Sequence, residues 1–352
     1  MFDVGNTNDI VLLIWIGIIA FLSQSATKQK ITVLGHEEQR YSLLFSVVVF
    51  FPIFWFVTTV YIRSDMYAYK MGFDSFSMSV DEIIKNWNSI NKGPGFSLLI
   101  SICKGLGIND FGQFRVVLAL LQSIPLVFVF RKYSENYIYS IFLFIANRDY
   151  DGWMMNGMRQ FLAVCIIFAA FPLFIKKKYI FASLLIFLAI TVHASAVVII
   201  PIFLLSKLKP WSKSFIILSV VFAVVLIFYI RYSNWMSADE LQNSKGSHPL
   251  GILFRALPAI IAFVGRKQIE KYDNRSINFC VNISVLAVVI NIVASLTSGI
   301  MTGRLIGYTG LFVYLLVPFL LKKSFNESIS NRLSFGVTIY YILLFFLDMY
   351  IL

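Results

Sequence analysis

Residues 158–178 read MRQFLAVCIIFAAFPLFIKKK: an arginine and a glutamine, then 15 uninterrupted apolar residues, then three lysines. As an α-helix at ~1.5 Å per residue, the stretch from Met158 to Ile175 rises about 27 Å, close to the ~30 Å hydrocarbon core of a bilayer. Lipid offers no partner to an unpaired backbone group, so such a stretch must be helical. Lysine collects on the cytoplasmic side of membrane proteins. Lys176, Lys177 and Lys178 therefore mark the inner end of this helix, and Arg159 marks its outer end.

Beyond the lysines a second apolar block, 179–205, is again closed by Lys207, Lys209 and Lys213. Both of its ends belong inside, so it is expected to rise to about His193 and return. Further apolar blocks fall near 10–22, 41–60, 96–108, 114–130, 137–147, 214–230, 250–264, 277–298, 304–321 and 333–350. Across all 352 residues, 59% are apolar and 14% charged, whereas soluble domains run near half and a quarter. The reading is an all-α polytopic membrane protein, a single integral domain over 1–352, with about 12 transmembrane helices and both termini outside. Some helices are short or re-entrant: 96–108 must dip in and come back out to keep the alternation.

Basic residues cluster in alternate connections, at 28–40, 131–132, 176–178, 207–213, 266–275 and 322–332. The inner side then holds 18 basic and six acidic residues, a net +12, while the outer side is neutral. A positive face of this kind fits membrane insertion and anionic lipid rather than nucleic acid. Lys177, Lys209 and Lys322 are expected in the cytoplasm, and Asp65, Asp151 and Asn243 outside. Asp3 and Asp9 stand where a secretory signal would carry Lys or Arg, so the first apolar run reads as a retained helix. Cys103, Cys165 and Cys280 occur singly in apolar surroundings, which supports neither a disulfide framework nor a zinc site. No Walker loop, G-x-G-x-x-G or G-x-S-x-G is present, and no metal or other cofactor is expected.

Chemistry belongs to the outer loops, 61–95, 147–157 and 231–249. The first opens with Tyr61, Arg63, Asp65, Tyr67 and Tyr69, aromatic faces for sugar rings beside groups that bind hydroxyls. An interfacial aromatic belt also explains Tyr61 and Tyr67, but not Asp65. Asp149 and Asp151 form a D-x-D, a short pattern that also suits a turn-forming polar loop. Arg115, Arg159, Arg255 and Arg304 each stand within about two turns of the first residue of a helix entering from outside. A cation there opposes the helix dipole, which an anionic ligand such as a diphosphate would compensate. Counting from 176–178, Arg159 and His193 rise to similar heights, ~24 and ~21 Å, so they can face one site. His193 and Asp65 are both candidates for a general base. His36, on the inner side, and His248, in the third loop, carry no expected chemistry.

The run MNGMRQFLAVCIIFAAFPLF, followed one hairpin later by VHASAVVIIP, resembles the EpsG-like branch of the Wzy-type polysaccharide polymerases. SDMYAYKMGF in the first outer loop and the late GRLIGYTGLF match the same pattern in order and spacing, so the resemblance covers roughly 41–320. It implies an enzyme of the bacterial inner membrane with a GT-C-like glycosyltransferase architecture. Such an enzyme moves a growing glycan from undecaprenyl diphosphate onto an incoming lipid-linked repeat unit, at a site facing the periplasm or exterior. A chain-length regulator and a flippase are the partners it would imply, with lipid-linked oligosaccharides and membrane lipid as its ligands. The paired R-x10-G loops of some Wzy proteins are absent, since ten residues past Arg159 is followed by Ala170 rather than glycine. The family's arginine roles therefore carry over to Arg159 and, more weakly, Arg304.

In that reading Arg159, Arg304, Arg255 and Arg115 receive the diphosphate, while Arg63, Tyr69, Asp151, Gln160 and Tyr308 bind sugar. His193, Asp65 and Arg159 form the catalytic set, with His193 preferred as base. The alternative is a transporter or flippase of lipid-linked oligosaccharide, which would want midplane charges or inverted repeats that are not evident. A membrane acyltransferase would want an H-x-x-x-x-D, and Val198 occupies that place.

Overall fold

The computed structural model describes residues 4–34, 36–90, 93–232, 252, 255–297 and 299–351. The chain forms two compact units, residues 1–196 with 335–352 and residues 197–334, where the sequence reads as one membrane domain.

In the first unit α1 (Val4–Leu22) leads into a hairpin of β1 (Lys28–Val33) and β2 (His36–Tyr41). Helices α2 (Leu43–Thr59), α3 (Met66–Asp74), α4 (Val80–Lys85), α5 (Pro94–Gly105), α6 (Phe111–Tyr133), α7 (Tyr137–Ala146), α8 (Met158–Ile175) and α9 (Tyr179–Val192) follow. Side chains cap several of them: Ser42, Asp110 and Asn136 accept the backbone N–H three residues on, and Ser79 with Glu82 forms a capping box. α8 is the axis, packed on α6 and α9 and mostly buried. The second unit holds α10 (Ile199–Leu205), α11 (Lys213–Tyr232), α12 (Leu257–Val264), α13 (Arg266–Tyr272), α14 (Arg275–Leu296) and α15 (Gly299–Lys323), with α14 packed on α15. α16 (Glu327–Ile351) belongs to the first unit from Phe335 on.

Every apolar block contains a helix, and among the described residues six are long and apolar enough to cross a membrane: α6, α8, α11, α14, α15 and α16. Phe21, Ile180 and Phe335 are 74%, 77% and 70% exposed. Side chains of that size spread over a helical surface suit hydrocarbon, not water.

The secondary structure of the described residues is helical throughout, as expected of an all-α membrane protein, apart from one short hairpin in which β1 and β2 pair antiparallel, Lys28 opposite Tyr41 and Val33 opposite His36. Their 14 residues are too few and too polar for a span, and alternation places Ile31 and Val33 on one face. The 96–108 block contains no return; it lies mostly in one unbroken 12-residue helix, α5, about 18 Å long. The 61–95 segment is not simply a loop, since it folds as α3 and α4. The 147–157 segment is no watery loop either, because Tyr150–Asn156 is a π-helical turn with Tyr150, Met154 and Met155 buried. α7, ten residues and about 15 Å long, ends just before this buried turn. The 231–249 loop, with Asn243 and His248, lies outside the described residues apart from Arg231 and Tyr232.

The charge pattern sorts the ends of each unit. In the first, Arg131 Nε donates to the Tyr41 carbonyl (2.7 Å) and Arg40 Nε to the Lys132 carbonyl (3.3 Å). Lys132 also lies within electrostatic reach of Lys176. The hairpin and the 131–132 and 176–178 connections thus share one end. In the second unit Trp211 meets Phe263 edge-on (6.2 Å), Tyr272 meets Phe319 (5.5 Å), and Gly265 abuts Ser324. Its three basic connections also share an end.

Candidate functional site

At the opposite end of the first unit, α8 begins at Gly157, whose position offers no side-chain cap. The Arg159 N–H instead donates to the Tyr69 hydroxyl at 3.5 Å, and Gln122 Nε2 donates to the Met158 carbonyl at 3.0 Å. Gln160 is buried in the same turn. Tyr69 comes from α3 and lies edge-on to Phe96 of α5, centroids 6.4 Å apart. The start of α5 presses on the end of α9: a Cβ on Gly93 would lie 2.3 Å from the Val192 carbonyl oxygen, and one on Gly95 2.4 Å from Thr191 Oγ1. Gly93, at φ +80°, is in a conformation that glycine adopts without strain. The residue after Val192 is His193.

His193 ends α9 in an extended conformation (φ −148°, ψ 113°), and a 3-10 turn, Ala194–Val198, follows. Its Nδ1 shares a hydrogen bond with Ser195 Oγ at 2.7 Å, which orients the ring from within the H-x-S sequence. Contacts therefore run from Arg159 through Tyr69, Phe96 and the Gly93–Gly95 segment to the residues before His193. α8 and α9 are antiparallel partners joined at 176–178, so Arg159 and His193 occupy the same end of the pair.

A polar cluster at this end joins three segments. Arg63 Nη2 donates to Asp151 Oδ1 (2.9 Å), and Arg148 Nη2 donates to Asp151 Oδ2 (2.7 Å) and Asp9 Oδ2 (3.0 Å). The Tyr150 hydroxyl donates to Asp9 Oδ1 at 2.7 Å. Burial first, then the adjacent Asp9 carboxylate, raises the Tyr150 phenol well above its ordinary range, so it stays a donor. Asp151 therefore engages both carboxylate oxygens with guanidinium groups.

Sequence reasoning paired neither Asp9 nor Arg148. The signal was present: a carboxylate inside an apolar helix requires an opposite charge at its depth. Asp65 is exposed at the N-cap of α3 and makes no capping bond. Arg115 differs from its expected role. Buried in α6, it donates from Nη1 and Nη2 to the Val57 and Val60 carbonyls at the C-terminus of α2, so both terminal nitrogens serve that helix end, while Nε has no partner among the described residues. In the second unit Arg255 donates weakly to Asn291 Oδ1 (3.4 Å), Arg304 is exposed on α15, and Tyr308 is buried one turn on.

These features define a multi-pass helical membrane protein with a cationic, aromatic corner at one end. The model of the EpsG family matches residues 43–351, and the chain belongs to that family. Membership suggests a polysaccharide polymerase-like function. Neither the curated proteins nor the solved structures contain a match.

Proposed function

We propose that this protein is a membrane glycosyltransferase that polymerises oligosaccharide repeat units carried on undecaprenyl diphosphate, at the outer face of the bacterial inner membrane. The proposal includes twelve crossings, the shorter ones completed by buried helices such as α7, and a GT-C-like architecture. The supporting observation is the juxtaposition of Arg159, at the N-terminus of α8, with Tyr69 and the α9 end that carries His193.

The chemistry follows from the groups present. The bond between the donor sugar's anomeric carbon and the diphosphate oxygen breaks, and negative charge grows on the leaving group. The Arg159 guanidinium and the positive end of α8 oppose that charge, a contribution that increases toward the transition state. The acceptor hydroxyl forms the new glycosidic bond and gives its proton to His193, with Asp65 the other candidate acceptor. Tyr69, Arg63, Gln160 and Asp151 shape the sugar-binding wall. Energy comes from the donor's own diphosphate bond, so no nucleotide is consumed.

The test is the lipid-linked glycan profile of cells lacking the gene. Single-unit caps in place of polymer are expected, restored by wild type and not by Arg159→Ala. Accumulation of units on the cytoplasmic leaflet would instead identify a flippase and overturn the assignment.

A further inference from the structure

Asp9 is fully buried on α1, 34 residues before the part of the chain that matches the family. A carboxylate placed there is expensive to hold unless it is paired and hydrogen-bonded. Its two oxygens are both in use: Oδ1 accepts from the Tyr150 hydroxyl, and Oδ2 accepts from Arg148 Nη2 at 3.0 Å. Arg148 Nη2 is shared with Asp151 Oδ2 at 2.7 Å, and Nη1 donates to the Asp348 carbonyl at 3.1 Å. Asp151 Oδ1 in turn holds Arg63 Nη2 at 2.9 Å. The Arg63 carbonyl accepts the Met66 N–H that opens α3, and α3 carries Tyr69 to the Arg159 backbone.

We propose that Asp9 is a positioning residue of the outer site, acting through Arg148 and Asp151 to set where Arg63, and with it the segment leading to Tyr69, stands. The four charged groups balance, two carboxylates against two guanidiniums. Removing the charge of Asp9 leaves Arg148 with Asp151 as its remaining carboxylate. Arg148 then competes with Arg63 for that group, and the 61–69 segment loses its tether to the buried turn. The first helix is thus part of the sugar-binding wall without touching substrate. The kinetic part of this inference rests on the polymerase reading; the tether itself does not.

A double-mutant cycle tests it: Asp9→Asn, Arg63→Gln and the pair, purified and reconstituted, with lipid-linked oligosaccharide extracted from cells lacking the gene as substrate. In parallel, spin labels at Tyr67→Cys on α3 and Leu44→Cys on α2 report where α3 stands; native Cys103, Cys165 and Cys280 are buried. Each single substitution is expected to raise KM about tenfold while kcat stays within about threefold, and the double to be no worse than Arg63→Gln alone. Asp9→Asn is also expected to broaden the label distance. Unchanged KM and distance, additive effects, or lower yield with normal kinetics in the surviving protein would overturn the proposal. If wild type makes no polymer but Asp9→Asn still broadens the distance, the tether stands and the polymerase reading fails. Should Asp9→Asn not fold, Tyr150→Phe takes its place in the cycle. That variant removes one bond to Asp9 and keeps the charge, so a smaller, non-additive effect is expected and additivity again overturns the idea.

Discussion

At the scale of single residues the account separates arginines by what their nitrogens touch. Arg115 holds the Val57 and Val60 carbonyls, so Arg115→Ala should lower stability by about 1–3 kcal/mol through those buried acceptors and leave substrate affinity nearly unchanged. Thermal unfolding in detergent and a substrate titration check the two halves. For Arg159 the expectation is reversed: Arg159→Ala should fold and make no polymer, and Arg159→Lys should restore little, because an ammonium does not reproduce the planar fork on phosphate. His193→Gln keeps a hydrogen bond near Ser195 but does not accept a proton at neutral pH, so turnover should fall roughly 10²–10⁴-fold. Asp65→Asn is the comparison. An inactive Asp65→Asn beside an active His193→Gln would exchange their roles. The sequence alone placed Arg159 and His193 at matching heights, since helix rise and lysine position suffice for that count. It left Arg148 and Asp9 unpaired, because their bond joins residues 139 apart and no local spacing encodes such a meeting.

At the scale of elements the α5–α9 contact is what positions the end of α9 that carries His193. Gly93 and Gly107 have nearly the same backbone angle, φ +80° and +85°, but different surroundings. A Cβ on Gly93 meets the Val192 carbonyl, whereas one on Gly107 meets nothing within 4 Å. Gly107→Ala should therefore cost only about 1–2 kcal/mol of backbone strain and keep its activity. Gly93→Ala adds a clash that displaces the residue before His193, and polymer should be lost with it. Equal activity in both variants, measured at equal protein level, would show that the contact does not matter to the site. Gly93 stands at the N-cap of α5, ahead of Pro94 and Gly95 in its first turn. Its purpose was hidden because close approach involves a partner about a hundred residues away. The β-hairpin went unseen for a different reason: 14 mostly polar residues between two spans carry little signal against the pull of hydropathy.

At the scale of the whole molecule the alternation of basic connections was the most readable feature. Within each unit, connections assigned to the inner side share one end: 28–40 with 131–132 and 176–178 in the first, and 207–213 with 266–275 and 322–332 in the second. Cysteine labelling from outside should therefore reach position 151 or 65 and not 177, 209 or 322. Labelling at 177 without 151 would invert the topology and move the site to the wrong compartment. The central claim is tested most directly by purified protein in liposomes given only lipid-linked oligosaccharide extracted from cells lacking the gene, with no nucleotide sugar. The account predicts a ladder of polymer with stoichiometric release of lipid diphosphate from wild type, and none from folded Arg159→Ala. No ladder from folded wild type, or an equal ladder from Arg159→Ala, would contradict it.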